Sequence, residues 1–211
     1  MTCIYDGNRH ARNVVVLAHG AGAPMDTDFM SAIALGVASD DIGVLRFEFD
    51  YMAKRREDGR KRPPDRQPKL LESFMAATNE CPQDACLYIG GKSMGGRMAS
   101  LLVSEKANEI PHLKGWFALG YPFHPPGKPE KLRTEHLSAL PVPGLIVQGS
   151  RDPFGNKEEG VETYLGENIK LCWAEDGNHD LAPRKSSGLT KEENLALAVR
   201  ALREFVLAGS K

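Results

Sequence analysis

The 211-residue chain lacks a basic excess: 27 lysines and arginines face 28 acidic residues, for a formal net charge of -1. General nucleic-acid binding rests on such an excess, so no nucleic-acid partner is expected. Long apolar runs are missing too, and the polar stretch from Met1 to Arg12 has no apolar centre of the kind a signal peptide carries. Membrane insertion and secretion are therefore not expected, and a cytoplasmic location is. Cysteine is scarce, with Cys3, Cys81, Cys86 and Cys172 set at spacings that fit neither a metal site nor a dense disulfide framework. They read as reduced, buried thiols, and no metal is expected. No internal repeat or linker interrupts the chain, whose length suits one domain spanning residues 1–211.

What is present is an alternation of short apolar runs with helical patterns. Val14 to Ala18, Ile42 to Phe49, Ala85 to Gly90, Leu113 to Leu119, Leu145 to Gln148 and Ile169 to Ala174 read as strands. The first is rich in β-branched residues and too short for a helix, as in a strand buried on both faces. Helical patterns run from Asp28 to Ser39, along Leu70, Leu71, Phe74, Met75 and Thr78, behind Ser93 through Met98, Leu101 and Leu102, and over Lys157 to Leu165. A last helix begins near Thr190, whose Thr190-Lys191-Glu192-Glu193 is a capping-box pattern, and carries Leu195, Val199, Leu202 and Val206 on one face. The alternation predicts an α/β fold with a mostly parallel sheet of about six strands covered by helices on both faces.

The chemistry centres on Leu87-Tyr88-Ile89-Gly90-Gly91-Lys92-Ser93-Met94-Gly95-Gly96-Arg97, where an apolar run meets a serine flanked by glycines and opens into a helix. A serine held on a sharp strand-to-helix turn needs small residues two before and two after it, and Gly91 and Gly95 supply them. Gly91-Lys92-Ser93 also ends a phosphate-binding loop pattern, but the glycine that pattern requires five positions earlier is Cys86. Likewise Gly20-x-Gly22 begins a dinucleotide-binding pattern whose third glycine position is Met25, preceded by Pro24. No cofactor is expected at either place.

A serine hydroxyl needs a base, usually a histidine oriented by a carboxylate. Of the six histidines, His179 follows the sixth strand at the sheet edge that Ser93 occupies, whereas His10, His112 and His136 lie in polar connections. Asp152 follows the fifth strand, and Pro153 prevents that strand from continuing. Asp176 and Asp180 are alternatives, close in sequence to His179. The chain order Ser93, Asp152, His179 is the one a nucleophile-elbow hydrolase requires. Oxyanion donors are expected at the N–H of Met94, at a helix start, and at Ala21 with Gly22 second, in the loop His19-Gly20-Ala21-Gly22. His19 itself reads as a structural hydrogen-bonding residue.

Two irregular segments follow strand ends. Lys54 to Lys69 packs eight basic and three acidic residues with Pro63, Pro64 and Pro68; Tyr121 to Pro129 is rich in proline and glycine. Both are candidate rims of a pocket at the carboxyl edge of the sheet. The first is equally a solvated loop. Tyr51, Tyr121, Phe123 and His124 are the expected substrate-binding residues, and the arginines of the basic segment are candidates to favour an anionic substrate.

Taken together, Ala18-His19-Gly20-Ala21-Gly22, the Tyr51 to Lys69 segment with Arg62-Pro63-Pro64-Asp65-Arg66, Gly90 to Arg97, Gly120 to Pro129, Gln148 to Gly155 and Gly177-Asn178-His179-Asp180-Leu181 resemble the α/β-hydrolase superfamily. More narrowly they are similar to its small, lidless branch related to dienelactone hydrolases. Within it, the similarity is to the bacterial predicted hydrolases grouped with a testis-expressed hydrolase-like protein and a hydrolase-like subunit of a chromatin acetyltransferase complex. The resemblance implies an α/β-hydrolase fold with Ser93, Asp152 and His179 in the triad positions, and no particular substrate. Dienelactone hydrolases proper carry cysteine where this chain has Ser93. The Gly120 to Pro141 connection is too short for a separate lid domain. The expected activity is that of a serine esterase or thioesterase acting on a small-molecule substrate; the alternative is a hydrolase-like interaction module without turnover. Nothing in the residues bears on oligomeric state.

Overall fold

The computed structural model describes residues 1–209 of the chain, so the last two positions of the expected domain lie outside it. Its sheet has seven strands, one more than the sequence suggests: β1 (Cys3–Asp6), β2 (Asn13–Ala18), β3 (Ile42–Phe47), β4 (Cys86–Lys92), β5 (Leu113–Leu119), β6 (Gly144–Gly149) and β7 (Ile169–Ala174). The order across the sheet is β1-β3-β2-β4-β5-β6-β7. All pairings are parallel except that of β1 with β3. Every residue of β2, β3 and β6 is buried, which is why they appear in the sequence as mostly apolar runs, the polar exceptions Asn13, Arg46 and Gln148 being buried as well.

The unforeseen β1 is short and only its last residue is buried, so it carries almost no periodic signal. An ion pair pins it: Arg46 donates from Nε to Asp6 Oδ2 at 2.8 Å and from Nη2 to Asp6 Oδ1 at 2.9 Å, with both side chains buried. A bidentate guanidinium–carboxylate pair fixes register as well as proximity.

Helices α1 (Asp28–Val37) and α5 (Lys191–Ala208) pack together on one face of the sheet, with α3 (Gln67–Asn79) and α4 (Met94–Lys106) on the other. The capping box at Thr190 forms as its residue pattern predicts, with Glu193 N donating to Thr190 Oγ1 and Thr190 N to Glu193 Oε2. Two expectations give way. Lys157 to Leu165 holds only short 3₁₀ turns, Lys157–Glu159 and Val161–Tyr164, because Gly160 between them sits at φ +65° and stops a continuous helix. Conversely, the first part of the basic segment is helical: α2 spans Asp50–Asp58 and ends on Gly59 in the left-handed conformation. Its charges lack an apolar stripe, so its periodicity is invisible. All four cysteines are free, yet only Cys81 is buried; the others are half exposed. Among the described residues no helix is long and apolar enough to cross a membrane. Those residues form no separate lid either.

Candidate active site

The parallel strands β2, β4, β6 and β7 all end on one edge, and each delivers one piece of the site there. Ser93 stands between β4 and α4 at φ 52°, ψ -113°, a conformation that non-glycine residues rarely hold. The glycines around it explain how the turn is tolerated. A side chain at Gly91 would collide with the Ala18 carbonyl, and a Cβ on Gly95 would lie 2.6 Å from Ala18 O and 2.8 Å from His19 O. Gly96, not singled out in the sequence, lets α4 press onto β5, since a Cβ there would be 2.5 Å from that of Ala118.

The turn aims Ser93 at His179, which arrives from the loop after β7. Ser93 Oγ and His179 Nε2 are 2.8 Å apart, and His179 Nδ1 and Asp152 Oδ2 are also 2.8 Å apart. With the carboxylate as acceptor, Nδ1 carries the proton and Nε2 is left to accept from the serine hydroxyl. Asp152 is fully buried. Its other oxygen accepts from Phe154 N at 2.9 Å, and Gln148 Nε2 donates to Oδ2 at 3.0 Å. The alternatives are occupied elsewhere. Asp176 is held near pKa 2 by hydrogen bonds from Arg184 and the charge of Arg151, and Asp180 pairs with Lys92 at 3.2 Å.

The His19-Gly20-Ala21-Gly22 loop lies against this serine turn: Gly20 packs beside Lys92 and Ser93. Neither Ala21 N nor Met94 N donates to an acceptor among the described residues, so both remain available to a ligand oxygen. His19 has the structural role expected. Phe49 N donates to its Nε2 at 3.1 Å, leaving the Nδ1 proton for Gly20 O at 2.6 Å, and burial lowers its pKa. Two residues of α2 hold the loop from behind: Tyr51 donates to Ala21 O at 3.0 Å and Arg55 to Gly22 O at 3.1 Å. The basic segment thus serves the site by tethering a loop.

The expected substrate-binding residues do not face the cleft. Tyr51, Tyr121 and Phe123 are buried in the core, and His124 is buried with Nε2 2.6 Å from Glu159 Oε2. Aromatic rings after strand ends contribute more by filling the interior than by lining a pocket. The surface beside Ser93 forms two recesses, of about 520 Å³ on the Lys92, Phe29 and Asp180 side and about 330 Å³ on the Arg97, Met98 and Arg133 side. Phe154 belongs to both, its ring 4.2 Å from that of His179.

Lys92, whose role the motif left open, is buried and donates Nζ to the His179 carbonyl; burial lowers its pKa, opposed by Asp180. It fixes the loop that carries His179. Gln148 is a second positioning residue. Its Oε1 accepts from Tyr121 N at 2.6 Å, and its Nε2 lies within 3.0 to 3.1 Å of Tyr121 O, Asp152 Oδ2 and Gly155 O. The signal for it was a polar side chain at the end of an apolar run, since a buried amide must find partners.

This geometry accompanies a family match. The alpha/beta hydrolase domain model matches residues 11–207. The chain belongs to that family. Among solved structures, it is similar to a dienelactone hydrolase from Anabaena variabilis (17% identity, TM-score 0.74, covering 98% of this chain and 90% of that one). It is also similar to Est1E from Butyrivibrio proteoclasticus (16% identity, TM-score 0.71, covering 99% and 93%). A third is an α/β serine hydrolase without a lid from Xanthomonas campestris (15% identity, TM-score 0.64, covering 98% and 88%). At these identities the likeness is one of fold, and it extends over the whole hydrolase domain.

Proposed function

We propose that the chain hydrolyses a small carboxylic ester or thioester through an acyl-enzyme on Ser93. The observation that carries this reading is the unbroken relay from Ser93 Oγ to His179 Nε2 and from His179 Nδ1 to Asp152 Oδ2, each at 2.8 Å, with the serine held at φ 52°. In this reading Ser93 Oγ attacks the substrate carbonyl while its proton passes to His179 Nε2, and Asp152 stabilises the imidazolium and holds its tautomer. The oxyanion accepts from the N–H groups of Met94 and Ala21, with Gly22 as the second choice in the loop. Collapse of the tetrahedral species breaks the bond to the alcohol or thiol, which leaves with the proton from His179. Water, deprotonated by the same nitrogen, then releases the acid and restores Ser93.

Two features support a small substrate: the recesses beside Ser93 are of small-molecule size, and no inserted domain covers them. Among the structural neighbours, one described as an α/β serine hydrolase without a lid supports a serine-based reading. Labelling by a fluorophosphonate probe tests the assignment. The wild-type chain should label once, at Ser93, and Ser93→Ala should not label. A folded wild-type chain that stays unlabelled and turns over no ester or thioester in a panel of varied acyl length favours an interaction module without turnover.

A further inference from the structure

The smaller recess beside Ser93 is lined by two arginines, Arg97 and Arg133, that form no ion pair among the described residues. Arg97 lies four residues beyond Ser93, one turn along α4, and is half buried. Its Nε is shielded from solvent and has no hydrogen-bond partner among the described residues. Arg133, from the β5–β6 connection, lines the same recess and is close enough for its charge to disfavour that of Arg97, as burial does. No carboxylate lies within ion-pairing distance of either guanidinium among the described residues. The other ionic groups around Arg97 do not compensate it: His136 has its pKa pushed down to about 4, by burial and then by Arg97, and Tyr121 is pushed up to about 12 by burial, so both are neutral near pH 7. The one carboxylate of the lining, Asp65, turns Oδ1 toward Lys69 Nζ at 3.4 Å, and its Oδ2 is shielded from solvent without a hydrogen-bond partner among the described residues, so it does not bond either guanidinium.

Two arginines of the basic segment behave otherwise. Arg56 is tied to Glu48 and Asp26, and Arg62 to Asp58. Guanidiniums withdrawn from water are normally paired, because an unpaired charge there is costly. Two guanidiniums without an acid partner, one of them with a shielded Nε, lining a recess that opens on a nucleophile leave the counter-charge to the ligand.

We infer that the recess formed by Arg97, Arg133, Met98 and Phe154 is an anion subsite, and that the substrate carries a carboxylate a few bonds from its scissile carbonyl. This rests on the proposed hydrolysis at Ser93 and adds the substrate class. One helical turn separates Ser93 from Arg97, roughly 6 Å along the axis, which is the reach of a short dicarboxylic acid or of a small aromatic acid. Arginine's planar fork matches a carboxylate in two hydrogen bonds. The apolar side chains of Met98 and Phe154 fit the intervening carbons.

Two matched pairs of esters test this and distinguish where the anion resides. Mono-para-nitrophenyl glutarate against its methyl ester places the carboxylate on the acyl side. Para-acetoxybenzoate against its methyl ester places it on the leaving group. The wild-type chain should prefer the acid in one of the pairs by on the order of 10- to 100-fold in kcat/KM. That ratio should fall toward one in Arg97→Met and Arg133→Met and shrink with added salt, while Arg60→Gln, in the exposed segment, should not change it. Arg97→Lys should retain part of the preference and serves where the methionine variant fails to fold. A ratio of about one in both pairs, or a preference that survives both methionine variants, overturns the inference while leaving hydrolysis at Ser93 intact. If the folded chain neither labels at Ser93 nor turns over any ester, the hydrolase reading itself fails. Free glutarate then decides the subsite: a saturable rise in Tm that Arg97→Met abolishes supports it, and no rise overturns it.

Discussion

Arg46 and Arg97 are both guanidiniums drawn away from water, and the protein treats them in opposite ways. At the edge of the sheet Arg46 meets Asp6 in two hydrogen bonds and also donates to Met25 O and Ser31 Oγ. Beside Ser93, Arg97 pairs with no carboxylate among the described residues, and a second arginine lines the same recess. The first arrangement closes within the chain and stabilises a strand pairing. The second stays open, which costs stability and makes sense only where something else completes it. Charge density alone does not separate the two cases. In the segment richest in arginine, Lys54 to Lys69, Arg56 pairs with Glu48 and Asp26, Arg62 with Asp58 and Lys69 with Asp65, while Arg55 donates to the Gly22 carbonyl.

Variants can break this comparison at several points. Ser93→Ala should have the largest effect, a loss of roughly 10⁶-fold in kcat on acidic and neutral esters alike, measured under saturating substrate. Asp6→Ala should convert Arg46 into a second unpaired guanidinium and cost about 3–5 kcal/mol in urea unfolding. Arg97→Met, by contrast, should leave the urea midpoint unchanged or raised; a large loss of stability in that variant would mean Arg97 is a structural cation like Arg46. Lys92→Met should lower kcat by on the order of 10- to 100-fold, since it releases the loop of His179, without altering the preference between acid and neutral ester. A change in that preference would mean that Lys92 meets the substrate.

A smaller effect is expected from acid. His136 sits with Nε2 2.8 Å from Ser100 Oγ, and its pKa in the folded chain is pushed down to about 4 from an ordinary value of 6.5. Between those two values the unfolded chain binds the proton and the folded chain does not. The contribution of this group is therefore present above about pH 6.5 and lost as pH falls toward 4. His136→Gln should flatten that part of the pH–stability curve, followed by urea midpoints.

The parts of the site that the residues announce in advance are those tied to strand ends. Ser93, Asp152 and His179 each lie within five residues after a strand, so the strand pattern and the parallel topology bring them to one edge. Gly91 and Gly95 were readable for the same reason, because the turn at Ser93 leaves no room for a Cβ. Other features depend on contacts between distant segments. Arg97 and Arg133 meet only once α4 and the β5–β6 connection have packed, and nothing in their local sequence says that both lack an acid. Tyr51, Tyr121 and Phe123 follow strand ends too, yet they turn inward, since a large ring gains more from the core than from an open cleft. The short strand β1 and the charged helix α2 escaped notice because neither presents an apolar period. Gln148 was legible in principle, as an amide closing a buried run, and its partners could be found only from the fold.

An acyl-enzyme on Ser93 is tested most directly by mass spectrometry. The chain is mixed briefly with para-nitrophenyl acetate, quenched in acid, weighed intact and then digested. One acetyl group per chain, located on the peptide containing Ser93 and missing from Ser93→Ala, is the predicted result. Turnover of the ester with no adduct, or with the acetyl group on a residue other than Ser93, would contradict it.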